Sequence, residues 1–307
     1  MMISIVIPTR DREENLIQCI RSIRDQSSMP SEVLIVDDGE ISQDTRDLIS
    51  DLLSQTDLSL KYFRKEKAGL AESRNLGARN AVGDVVLFLD DDVVLDKDYI
   101  ENIIATWEIH KSDDKLAGVS GLAMNTKDKS CLEQIFDRVF CLYSPKAWAI
   151  LPWGFQSWSY DLDKPEQVDW IPGYNCGFRK EVLSKYHFES LQPGRTALED
   201  MEFCWKLKKN GYHFRITPFA QLLHKETLTG RERAFVSGYK EAFNRCSIFK
   251  IHSPKTLKNY ICFSVASFGG IIRQWLAAFL EPSLALNHIL YGLGLVKGMF
   301  VFLIGHA

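Results

Sequence analysis

Val85-Val86-Leu87-Phe88-Leu89-Asp90-Asp91-Asp92 joins a short apolar run to three consecutive carboxylates. A run of Val, Leu and Phe this short reads as a buried strand. Three like charges at its end repel one another unless something positive sits among them. On an extended segment residues i and i+2 share a side, so Asp90 and Asp92 can face one site together while Asp91 turns away. Hard oxygen ligands of this kind suit Mg²⁺ or Mn²⁺, with a diphosphate as the natural remaining ligand. Read alone, the triplet is equally compatible with one Asp capping a helix and the others in water.

Working outward, the first hundred residues alternate strand and helix. Ile3 to Ile7 is expected as a strand stopped by Pro8, followed by a helix around Glu13 to Asp25 with Leu16, Ile17, Ile20 and Ile23 on one face. Val33 to Val36 is a second strand ending in Asp37-Asp38-Gly39, and Leu48, Ile49, Leu52 and Leu53 mark another helix. Leu58 to Phe63 reads as a strand, and Ala71 to Ala81 as a helix closed by Gly83. Such alternation predicts an α/β fold with a mostly parallel central sheet covered by helices on both faces. Ligands bind such sheets beyond the carboxyl ends of the strands. Pro8-Thr9-Arg10, Asp37-Asp38-Gly39 and Asp90-Asp91-Asp92 all fall at those ends, which points to one site.

Composition narrows the class. The chain has 307 residues, 46% of them hydrophobic, enough for one large domain or two modest ones. A net charge of −3 gives no general attraction to nucleic acid. Seven scattered cysteines form no metal-ligand spacing or disulfide framework, as expected of a reducing cytosol. The opening Met1-Met2-Ile3-Ser4-Ile5 lacks a basic leader and is read as a strand, not a signal peptide.

The later sequence changes character. Tyr143, Trp148, Trp153, Trp158, Tyr160 and Trp170 crowd a proline-containing stretch. Each ring is by default core, and the cluster is a candidate cleft for a sugar. Helical patterns return around Arg179 to Tyr186 and around Ala197 to Lys209, the second closed by Gly211 as a C-cap. From about Phe235 the chain is helical and increasingly apolar. Ile261 to Leu280, interrupted by Arg273, and Ser283 to Gly305, carrying His288 and Lys297, are each long enough to span a bilayer. A central Arg or Lys costs roughly 2.5–3.5 kcal/mol on insertion scales. The two helices are therefore expected to pack on the preceding domain or lie in a membrane interface.

Taken together, several segments resemble the family 2 glycosyltransferases, which have the Rossmann-like GT-A fold. The resemblance covers roughly residues 3 to 225. Ile5-Val6-Ile7-Pro8-Thr9-Arg10 resembles the opening strand and nucleotide loop, and Val36-Asp37-Asp38-Gly39 the base-binding turn. Gly69-Leu70-Ala71-Glu72-Ser73-Arg74-Asn75-Leu76-Gly77 is similar to the family's "G…ARN.G" helix, and Phe88-Leu89-Asp90-Asp91-Asp92 to its DxD motif. Gly173-Tyr174-Asn175-Cys176-Gly177-Phe178-Arg179 resembles "G.N..FR", and Leu198-Glu199-Asp200 with Trp205 and Gly211-Tyr212 resembles "ED…G".

The resemblance implies a metal-assisted, inverting transfer of one sugar from a nucleotide-diphosphate donor, UDP or dTDP favoured, to a saccharide or lipid-linked acceptor. Mg²⁺ or Mn²⁺ would be held by Asp92, Asp90 and His224. Inversion in one displacement needs one base, and Asp200 is the candidate, with Glu199 orienting the acceptor. Pro8, Thr9, Arg10, Asp37, Asp38, Lys67, Gly69, Arg74, Asp90 and Asp91 are expected around the nucleotide-sugar. Asp37 or Asp38 would accept from the base, and Arg74 would pair with the diphosphate. Lys67 departs from the small polar residue common there. Blander roles stay open: a structural His224, capping by Glu199 and Asp200, a surface charge at Arg74. Residues 1–232 are expected as the GT-A domain, divided into a nucleotide-sugar half over 1–110 and an acceptor half over 111–232. Residues 233–307 are expected as a helical, membrane-proximal extension at the inner, cytoplasmic face of the cell membrane.

No Q-x-x-R-W motif of processive members is present, which favours single-sugar transfer. A dehydrogenase would need G-x-G-x-x-G after the first strand. A haloacid-dehalogenase phosphatase would carry its acids directly after the first strand, and a nucleotidyltransferase a lysine-bearing glycine loop there. A non-catalytic sugar-binding scaffold is the remaining alternative. Donor sugar, acceptor and oligomeric state are not written in any short motif.

Overall fold

Parallel pairing begins at the N-terminus, where β1 (Ile3–Thr9), α1 (Glu13–Arg24), β2 (Glu32–Asp37), α2 (Gln43–Leu53), β3 (Ser59–Arg64), α3 (Leu70–Asn80) and β4 (Val85–Leu89) follow in order. The structure is a computed structural model that describes residues 1–67, 69–126, 128–192, 197–225 and 233–305. Next come β5 (Val93–Leu95), α4 (Tyr99–Ile109), β6 (Leu116–Ala123), α5 (Cys131–Val139), β7 (Glu166–Val168) and β8 (Asn175–Arg179). The chain continues with α6 (Lys180–Lys185), α7 (Glu199–Lys209), β9 (His213–His224), α8 (Ala234–His252), α9 (Leu257–Leu280) and α10 (Ala285–Gly305). The expected boundary at residue 232 lies outside the described residues.

One mixed sheet runs in the order β3-β2-β1-β4-β8-β6-β9-β5, with β7 also on β9. The first four strands are parallel, whereas β8 runs antiparallel between β4 and β6. The parallel half is legible because three of its four strands, β1, β2 and β4, are buried on both faces. Ile5, Ile7, Ile35 and Leu87 pack with Leu16, Ile20 and Ile49 on one side, and Val6, Leu34, Val86 and Phe88 pack with Phe178 and Phe203 on the other.

The antiparallel strands place the site. Running against β4, β8 sets Asn175 opposite Leu89, so Gly173 and Tyr174 arrive at the rim where the carboxylates emerge. The Asp90 N–H donates to the Tyr174 carbonyl at 3.1 Å. Antiparallel β5–β9 pairing sets His224 opposite Val93, and Lys225 N–H donates to the Asp92 carbonyl at 2.9 Å.

Some details differ from expectation: β1 runs through Pro8 to Thr9 instead of stopping at Pro8. Helix α3 ends at Asn80 with Ala81 extended, and Gly83 does not close it. Gly83 is small because a Cβ there would lie 2.7 Å from the Ser4 nitrogen. Gly211 does take a left-handed φ of 84° after α7.

Helices α8 and α10 run side by side at close range. A Cβ on Gly238, Gly294 or Gly298 would overlap the carbonyl oxygens of Tyr291, Phe235 and Tyr239 respectively. Gly294→Val should force these helices apart at a cost of about 1–3 kcal/mol. Gly270→Ala meets nothing within 4 Å in α9 and should gain up to about 1 kcal/mol in helix propensity. Thermal melts of both variants check this; equal melting temperatures would contradict the close packing.

Candidate functional site

At the rim, one ligand atom each from Asp90, Asp92 and His224 lies within 4.8 Å of the others. The His224 Nε2 is 3.3 Å from an Asp92 oxygen, and the ring stacks on Tyr174 at 4.4 Å between centroids. Asp92 is buried, whereas Asp90 is half-open to solvent. Two carboxylates and an imidazole are a donor set that fits Mn²⁺ or Mg²⁺ with open positions for ligand oxygens.

Asp91 and Asp92 lie in the turn between β4 and β5, and Asp91 makes its own contacts. Its carboxylate accepts from the Thr9 hydroxyl at 2.7 Å and from Arg12 Nη1 at 3.0 Å. Burial pushes its pKa up to about 6 against the opposing pull of Arg12. Thr9 and Asp91 thus satisfy one another inside the rim. Arg12 also reaches Asp92 at 3.3 Å. Sequence reasoning missed Arg12 in this role, since no local signal ties it to residues 79 and 80 positions later.

Arg74 is not a surface charge. It is 2% exposed, and its guanidinium donates to Glu199 at 2.9 Å and to the Gly173 carbonyl at 3.0 Å, with Asp90 at 3.7 Å. Those contacts with protein acceptors stand where a diphosphate partner was expected. Gly173 is small for the same reason, because a Cβ would sit 2.7 Å from the Arg74 nitrogen.

Glu199 and Asp200 open α7 behind Leu198, whose φ of 70° is left-handed. Consecutive helical residues point about 100° apart. Glu199 therefore turns inward to Arg74, where burial pushes its carboxyl pKa up. Asp200 stays half-buried and accepts from the Gly173 N–H at 2.9 Å and the Met201 N–H at 2.8 Å.

Around the second strand end, the two acids separate. Asp37 is fully buried and accepts from the N–H groups of Gly39 and Ile41 and from the Tyr62 hydroxyl. Asp38 pairs with Lys65 at 2.8 Å and accepts from the Gly69 N–H at 2.9 Å. With Arg10, Gly39, Arg64 and Lys65 it lines an open polar cleft. Pro8 is buried within β1, and Lys67 is exposed.

The aromatic cluster divides. Trp148 and Trp170 are buried core, 4.9 Å apart, with Tyr160 against Trp148. Trp158 and Tyr143 instead line a second cleft with Asp128, Lys129, Lys146 and Ser159. The Lys129 ammonium sits 4.0 Å from the Trp158 ring centre.

Over residues 4–143 the chain matches glycosyl transferase family 2. An uncharacterized glycosyltransferase of Rickettsia conorii is 41% identical over 101 residues, 32% of this chain and 16% of that protein. Glucosyl-dolichyl phosphate glucuronosyltransferase of Haloferax volcanii is 32% identical over 110 residues, 35% of this chain and 34% of that protein. The matches thus span about a third or less of these relatives. The mannosyltransferase PcManGT of Pyrobaculum calidifontis, solved with GDP-Man and Mn²⁺, superposes with a TM-score of 0.60 at 16% identity, over 99% of this chain and 88% of that one. At that identity the likeness shows the GT-A fold alone.

Arg74→Met should leave Glu199 buried without its counter-ion and cost about 3–5 kcal/mol. Arg74→Met with Glu199→Leu removes both charges and should be more stable than the single variant. Urea unfolding of the pair decides; a single variant as stable as the parent would contradict the buried bridge.

Proposed function

The chain belongs to glycosyl transferase family 2 through residues 4–143, and from that premise we propose that it moves one sugar from a nucleotide-diphosphate donor to a hydroxyl of a saccharide or lipid-linked saccharide, with inversion. The observation that carries this reading is the joining of two groups by one side chain. Arg74 contacts Asp90 of the acidic rim, and also Glu199 and the Gly173 carbonyl beside Asp200.

Asp90, Asp92 and His224 are the residues that would hold Mg²⁺ or Mn²⁺. When bound, the cation neutralises charge building on the leaving diphosphate. Asp200 is assigned as the base. Backbone N–H groups fix one bond to each of its oxygens, and the remaining lone pairs are available to an acceptor hydroxyl. Gly173 and Met201 therefore hold the carboxylate in orientation while it takes the proton.

Asp38, rather than Asp37, is assigned to the nucleotide base. Asp37 spends its oxygens on three protein donors, whereas Asp38 borders the cleft with Arg10 and Lys65. A carboxylate accepting an imide N–H suits UDP or dTDP. The acceptor is assigned as lipid-linked, and the extension as membrane-proximal at the inner face of the cell membrane. Supporting this are two apolar helices long enough to cross a membrane and the dolichyl phosphate in the Haloferax relative's name.

Asp200→Asn should retain Mn²⁺-dependent donor binding while lowering transfer by roughly 10²–10⁴-fold. Asp92→Asn and His224→Ala should instead weaken Mn²⁺ binding, read by calorimetry. Appreciable turnover by Asp200→Asn would remove the base assignment. Failure of UDP-, dTDP- and GDP-sugars alike to bind with Mn²⁺ would favour the non-catalytic scaffold.

A further inference from the structure

Helices α9 and α10 are apolar, yet only 17% and 22% of their apolar windows are buried. They are therefore not core helices. Phe268, Leu276 and Phe279 of α9 and Leu286, Leu293 and Phe300 of α10 are exposed. A third apolar stripe lies on α5, where Leu132, Ile135 and Val139 are 79%, 58% and 64% exposed. The other side of α5 is fastened to α9. Phe140 meets Phe268, and a Cβ on Gly269 would lie 2.5 Å from the Phe140 Cβ. Arg273, in the interior of α9, pairs with buried Asp137 of α5, which also binds Lys129 at 2.7 Å.

These contacts decide how the hairpin can meet lipid. Upright insertion of α9 and α10 would have to break them or drag their partners into hydrocarbon. The partners carry Lys129 and Asp137 beside α9, and Glu241 and Arg245 on α8 beside α10. Each such charge costs roughly 2.5–3.5 kcal/mol at a membrane centre. Helix α5 has 9 residues, far fewer than the ~20 a span requires. A short helix with one apolar face lies in the interface plane. The exposed Arg138 at the end of α5 and Lys258 near Cys141 supply positive charge at that junction.

We propose that α5, α9 and α10 form one continuous surface that lies in the plane of an anionic phospholipid leaflet without crossing it. This rests on the membrane-proximal reading above and adds α5 and the in-plane orientation to it. The cleft of Trp158, bordered by Gln134 and Asp137 of α5, would then open at headgroup level, where a lipid-linked saccharide is presented.

The test uses the full chain reconstituted in vesicles of phosphatidylglycerol and phosphatidylcholine. A photoreactive side chain is placed at Ile135 or at Phe279, and adducts are identified by mass spectrometry. Separately, Ser54→Cys/Ser283→Cys is treated with a membrane-impermeant maleimide. The expected result is lipid adducts at both positions and both cysteines labelled on the same molecules. A lipid adduct at Phe279 with none at Ile135 would overturn the inclusion of α5. Labels at Ser54→Cys and Ser283→Cys that never share a molecule would show a spanning hairpin and overturn the in-plane orientation. In both of those cases the membrane-proximal reading survives. No lipid adduct at either position, or adducts only to a second copy, would sink that reading and this one together. Cross-linking needs no turnover, so a failed sugar transfer leaves its outcome intact.

Discussion

A single buried guanidinium organises the rim. Arg74 emerges from α3, yet its contacts come from β4's end, from the segment before β8 and from the first turn of α7. Removing a cation from water costs several kcal/mol, and only a close partner with matched hydrogen bonds offsets that. Glu199 supplies the partner and Gly173 the carbonyl. The consequence is geometric: the three elements must converge within reach of one side chain. Asp90 and Asp200 belong to those same elements, so the two halves of the candidate site are brought into register by a residue between them.

Charge placement around the rim is set in the turn between β4 and β5. There Thr9 and Arg12 hold Asp91, while Asp90 and Asp92 gather with His224. Three adjacent carboxylates would repel one another without Arg12, which contacts both Asp91 and Asp92. The acidic triplet is therefore two functions in one run. One carboxylate ties β4's end to Thr9 and the loop after β1, and two gather with His224.

The parallel half of the sheet was legible because continuous apolar strands and amphipathic helices alternate there. The acidic rim was legible because short strands ending in charge are conspicuous. Residues 93 to 123 yielded no elements to sequence reasoning. There β5 is only three residues long, and α4 carries four Ile together with Tyr and Trp, which also suit strands. Local pattern could not separate Asp37 from Asp38 either, since only the Tyr62 hydroxyl and the turn N–H groups reveal which one is spent. In sequence Arg74 reads toward a diphosphate, with a surface charge as the alternative, because its protein partners lie 99 and 125 positions away. Pairings at such separations are properties of the folded sheet and leave no trace in a short window.

The C-terminal helices are more than an appendage to this arrangement. Asn244 of α8 donates to the Ala197 carbonyl at 2.9 Å, one residue before the left-handed Leu198 that starts α7. His252 bonds Glu202 at 2.9 Å and stacks on Trp205, both on α7. A non-glycine residue at positive φ costs on the order of 1–3 kcal/mol and persists only where its surroundings over-determine it. Here α8 supplies part of that constraint. Because α10 packs on α8 through backbone-to-backbone contact at glycines, the same helix that bonds Ala197 and α7 also holds the hairpin.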